Sequence, residues 1–86
     1  MKLLELPEGM LSLEFLPAEG DEVMRRLKQF GPVKRRWHAS YDKITVGNVD
    51  FLRENEWDQP CLISTSPAGA ALLRQLISKL THSKAA

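Results

Sequence analysis

The chain has 86 residues, a net charge of +1 and a single cysteine, Cys61; at this length it forms one domain that buries only about two thirds of its unfolded surface. One cysteine excludes an intramolecular disulfide and a disulfide-stapled secreted module, and it fits a reducing, cytoplasmic setting. No run of about 18 apolar residues is present to span a membrane, and Glu5 and Glu8 interrupt the opening apolar stretch that a secretory leader would need.

The first elements are strands. Lys2–Leu6 reads as an edge strand joined through Pro7-Glu8-Gly9. Leu11, Leu13 and Phe15 alternate with Ser12 and Glu14, the pattern of a half-buried strand. Asp21 then caps a helix, with Glu22 in the first turn, where negative charge suits the helix dipole. Gly31 and Pro32 close it. Within it Val23, Met24, Leu27 and Phe30 share one arc, and Arg25, Arg26, Lys28 and Gln29 share the opposite one.

Val33 to Ala39 reads as a strand with Val33, Arg35, Trp37 and Ala39 on one face and Lys34, Arg36 and His38 on the other. Trp37 thus falls on the opposite face from Lys34 and Arg36, which argues against a stacking platform interleaved with the basic residues and for a core position. Ser40 to Lys43 reads as a turn, and Ile44 to Leu52 as the next strand, with Gly47-Asn48 either a bulge or a turn that splits it. Arg53 to Gln59, with Trp57, reads as an acidic connection. Pro60 opens the short apolar strand Cys61-Leu62-Ile63. Ser66 as N-cap and Pro67 at the first helical position start the last helix, whose stripe is Leu72, Leu73, Leu76, Ile77 and Leu80. The expected architecture is an α+β two-layer sandwich in the order β-α-β-β-β-α. Its antiparallel sheet has four strands, or five with Lys2–Leu6, and two helices cover one face. The domain spans residues 1–81, and 82–86 form a frayed tail.

From residue 21 to 81, the α-β-β-β-α order resembles the outline of a double-stranded-RNA-binding domain in topology. Such domains hold the RNA backbone with a lysine cluster at the start of the last helix. Here Ser66-Pro67-Ala68-Gly69-Ala70-Ala71 contains no basic residue. The resemblance therefore carries no site residues, and the chain is assigned to no family.

Charge is distributed in blocks. Residues 23–43 carry Arg25, Arg26, Lys28, Lys34, Arg35, Arg36 and Lys43 against Asp42, a balance of +6, between flanks of −5 (residues 1–22) and −3 (residues 44–60). Such blocks suit an anionic partner or a second copy of the chain. The candidate binding residues are Arg25, Arg26, Lys28, Lys34 and Arg36, which phosphates would meet as mobile positive charge. Pairing with Glu54, Glu56 and Asp58 would compensate them instead.

Catalytic constellations are poorly supported. The Ser64-Thr65-Ser66 turn offers free N–H groups at a helix start but lacks the glycines and lysine of a phosphate loop. Cys61 sits in the most apolar strand, with only His38 and His82 in the chain as bases. One cysteine and two histidines without ligand spacing argue against a metal, and nothing implies a cofactor. Glu54, Glu56 and Asp58 read as a solvated surface loop. The expectation is a cytoplasmic, non-enzymatic protein-interaction module, self-associating through complementary charged patches and the exposed side of its sheet. The alternative is weak, sequence-independent nucleic-acid binding by the basic segment 25–43. A small enzyme using Cys61 or the Ser64–Ser66 turn ranks third.

Overall fold

Alternating apolar residues build most of the sheet. The computed structural model describes residues 1–38, 41–56 and 59–85, with only the backbone of Glu56 and of residues 80–85. Strand β1 (Lys2–Glu5) pairs with β2 (Leu11–Glu14) across a 3₁₀ turn at Pro7–Gly9. Helix α1 (Gly20–Leu27) follows, and then the strands β3 (Val33–Trp37), β4 (Asp42–Val46), β5 (Val49–Glu56) and β6 (Gln59–Ser64). Helix α2 (Pro67–Ala85) ends the chain. The six strands form one antiparallel sheet in the order β1-β2-β6-β5-β4-β3. Helix α1 carries the chain from β2 to the far edge, and the meander β3 to β6 returns to close the gap.

The α+β class stands, but the strand count and order are corrected. The described residues form six strands rather than four or five, in the order β-β-α-β-β-β-β-α. Two local features explain the difference. Gly47, at φ +62°, opens a two-residue turn that splits Ile44–Leu52 between β4 and β5, a turn geometry that suits a glycine first. The polar stretch after Leu52 is strand, not connection: Arg53 pairs with Leu62, Glu54 with Cys61 and Asn55 with Pro60. The four strands between α1 and α2 also remove the outline of a double-stranded-RNA-binding domain.

Other boundaries shift for local reasons. A 3₁₀ turn, Pro17–Glu19, precedes α1, and Glu19 Oε1 accepts the Leu16 N–H at 2.8 Å. Asp21 therefore lies inside the first turn rather than at the cap. Asp42 and Lys43 belong to β4 rather than to a turn, and the His38 N–H donates to the Tyr41 carbonyl at 2.9 Å. The Ser66 cap holds: its Oγ accepts the Gly69 N–H at 3.1 Å. The backbone stays helical to Ala85, beyond the expected domain end at residue 81. Ala39, Trp57 and Asp58 lie outside the described residues, as do the side chains of Leu80 and His82.

Both helices bury their apolar stripes on one face of the sheet. Val23 and Leu27 of α1 and Leu73 and Leu76 of α2 join Leu11, Leu13, Ile44, Phe51 and Leu62 in one core. Each fully buried side chain of this size contributes about 1.5–3 kcal/mol. Lys79 of α2 sits 4.7 Å from the centre of the Phe30 ring, just past the end of α1. Among the described residues, no helix is long and apolar enough to cross a membrane.

Candidate functional site

The helices cover one side of the sheet, and the register identifies what the other side presents. Residues directly opposite in an antiparallel pair share a face. Leu4, Ser12, Ile63, Leu52, Lys43 and Arg36 therefore form one row across the six strands on the uncovered face. A neighbouring row reads Lys2, Glu14, Cys61, Glu54, and a third Lys34, Thr45, Asp50. The face thus has a basic side on β3 and β4, an apolar middle at Leu52 and Ile63, and acids on the β5 and β2 columns. Near the β1 edge, a hollow of about 250 Å³ is lined by Leu4, Leu6, Ser12, Glu14, Cys61 and Ile63.

Internal pairing takes up some of these charges. Lys43 Nζ lies 3.4 Å from Asp50 Oδ2, and Thr45 Oγ1 donates to Asp50 Oδ1 at 2.7 Å. That hydrogen bond, followed by Lys43 and then the charge of Arg36, holds the Asp50 carboxyl below its usual value, against a smaller opposing effect of desolvation. Lys34 and Arg36 have no ion pair among the described residues.

The five expected binding residues divide between two layers. Lys34 and Arg36 are exposed on the uncovered sheet face. Arg25, Arg26 and Lys28 lie on or just after α1, in the helix layer on the opposite side. Arg25 and Arg26 both pair with Glu22, Arg26 through Nε at 3.0 Å. The only described pairings of Arg25 with an acid are therefore within its own helix, not with Glu54. Asp58 lies outside the described residues.

The third-ranked candidates are held in structural contacts. The buried Ser64 accepts the Leu11 N–H at 2.8 Å. Thr65 Oγ1 donates to the Asp50 carbonyl at 3.0 Å, and Ser66 caps α2. Cys61 is buried on β6. His38 follows β3, three strand spacings away, about 14 Å at the usual interstrand distance.

Sequence reasoning missed one feature. Trp37 is not in the core but 73 % exposed. Alternation places it correctly on the helix-side face, opposite Asp42, but the helix layer stops short of that end. The Arg35 guanidinium lies 3.9 Å from the Trp37 ring centre. Asp42 Oδ2 fixes Arg35 through Nε at 3.0 Å and Nη2 at 2.5 Å, and Arg53 Nη1 approaches the same oxygen at 3.7 Å. His38 and Tyr41 stack at 4.7 Å. With Arg53, Glu54 and Asn55, these side chains border a shallow concavity of about 430 Å³. The readable signal was an i, i+2 Arg-Trp pair on a strand with polar residues on both faces. No protein-family model, curated protein or solved structure matches this chain.

Proposed function

We propose that this protein is a non-enzymatic interaction module that self-associates through the uncovered face of its sheet. The observation that carries this reading is the cross-strand row Leu4, Ser12, Ile63, Leu52, Lys43, Arg36, which runs from apolar to basic with Glu14 and Glu54 in the row beside it. Such a face is self-complementary. A two-fold axis along the strands, between β5 and β6, sets Leu52 against the partner's Ile63. It also brings the Lys43 side of one sheet over the Glu14 side of the other, an isologous contact. Apolar burial supplies the affinity, and the charges set the register.

Edge pairing is a weaker route to association. The β3 edge carries Lys34, Arg35 and Arg36 in succession, so two copies joined through it would repel. Charge reversal tests the facial contact. Arg36→Glu with Lys43→Glu, and separately Glu14→Lys, each weaken self-association at low salt. Mixing the two variants restores a complex of dimer mass. Two variants that associate as the parent does, with no gain on mixing, contradict the reading.

A second reading, nucleic-acid contact, is favoured by the exposed positions of Lys34 and Arg36, which have no ion pair within 4 Å among the described residues. Phosphates would meet them as mobile positive charge.

A further inference from the structure

Trp37 is the most exposed of the large apolar residues among those described. Its backbone belongs to β3, which pairs with β4 at five positions, and its ring rests on Arg35, which Asp42 fixes in turn. Ordering a rotamer-rich side chain on binding costs affinity, and here that cost is largely met before any ligand arrives. The guanidinium lies over the ring at 3.9 Å from its centre, and Trp37 is still 73 % exposed.

We propose that this end of the sheet binds single-stranded nucleic acid. One base stacks on the exposed face of Trp37, and Lys34 and Arg36 take adjoining phosphates around the β3 edge. The inference rests on the nucleic-acid reading. Trp37 lies on the opposite face from the Leu52–Ile63 row, whereas Arg36 belongs to that row, so of Lys34 and Arg36 self-association and phosphate contact compete for Arg36 alone.

The chemistry at the indole selects the class of partner. A cation already sits against the negative π-cloud, so a Lys or Arg from a protein partner gains little by stacking on the other side. A base presents a π-face without that charge conflict, and base–aromatic stacking tolerates any sequence. The strand geometry supplies the phosphates' partners. Lys34 and Arg36 alternate with Arg35 and Trp37 along one edge strand, so a nucleic-acid strand lying on that edge meets both sets. Glu54, on the opposite rim of the concavity, steers the phosphates toward β3. A duplex keeps its bases stacked within itself and presents none to the indole.

The test is fluorescence anisotropy with a labelled oligothymidylate at roughly 50 mM salt, where phosphate contacts are strongest. Duplex DNA and a poly-glutamate peptide serve as competitors. Saturable binding to the single strand is expected, with both competitors weaker. Trp37→Ala should lower affinity about five- to a hundredfold, the worth of one lost stack, while Trp37→Phe stays within a few fold. Both should melt as the parent does, because the side chain is exposed. Lys34→Ala with Arg36→Ala should flatten the salt slope by about two, whereas Arg25→Ala with Lys28→Ala leaves affinity within about twofold, since those residues contact no phosphate. Binding that Trp37→Ala leaves unchanged, or equal binding of duplex or poly-glutamate, overturns the Trp37 site but not the nucleic-acid reading. No binding of any nucleic acid overturns both.

Discussion

A Cβ placed on Gly31 would sit 3.2 Å from both the Cα and the N of Gly47. The approach joins the segment entering β3 to the β4–β5 turn, and the Gly47 N–H donates to the Pro32 carbonyl at 2.8 Å. Gly31 also has φ +153°, a backbone region that favours glycine. Gly31→Ala therefore meets both a steric and a conformational obstacle and should cost about 1–3 kcal/mol. Gly47→Asn has open space around its Cβ and a φ that asparagine tolerates, so it should cost less. Chemical denaturation of the two variants checks that order; equal loss would show that Gly31 is not constrained by Gly47.

Leu76 has no exposed surface in the core beneath α2. Leu76→Ala should cost about 2–5 kcal/mol, because the cavity it leaves cannot fully collapse. Leu16→Ala, at a side chain 57 % exposed, should stay within about 0.5 kcal/mol of the parent. Similar melting temperatures for the two variants would place Leu76 outside the core.

Ser64 joins strands that are far apart in sequence. Its Oγ accepts the Leu11 N–H and donates to Met10 Sδ at 3.7 Å. Ser64→Ala removes the acceptor and leaves a buried N–H unpaired, which costs about 1–3 kcal/mol. Hydrogen exchange at the Leu11 amide should accelerate in the variant, and an unchanged exchange rate would show that the bond is not formed.

Asp50 provides the pH dependence. Its carboxyl is held below the usual 3.8 by the Thr45 hydrogen bond first, then by Lys43 and Arg36. A depressed folded-state pKa contributes stability that is present above the unfolded value. That stability is lost as pH falls through the lower folded value, so the loss belongs below about pH 4. Thr45→Val should raise the Asp50 pKa toward its ordinary value in an NMR titration of the carboxyl carbon. A pKa that stays put would mean that Lys43 and Arg36 alone set it.

Elements with clear alternation or caps were legible from the residues. Leu11, Leu13 and Phe15 gave β2 its buried face, and Ser66-Pro67 gave α2 its start. Arg53 to Glu56 was not legible as strand, because its residues are polar on both faces. Arg53 lies opposite Asp42 on the helix side, and the half-buried Glu54 lies opposite Cys61 on the other. Trp37 was misplaced for a related reason. A period of two identifies a residue's face, but it does not say how far the helices extend over that face. The long-range register that joins Lys43, Leu52 and Ile63 in one row is a property of the assembled sheet and has no local signature.

Self-association through the uncovered face is tested most directly by light-scattering mass against protein concentration at low and at high salt. The mass should rise from the monomer's 9.8 kDa to twice that value over micromolar concentrations at low salt. The transition should move to higher concentration as salt screens the Lys43 and Glu14 sides of the two sheets. A mass that stays at the monomer value at the highest concentration and lowest salt would contradict it.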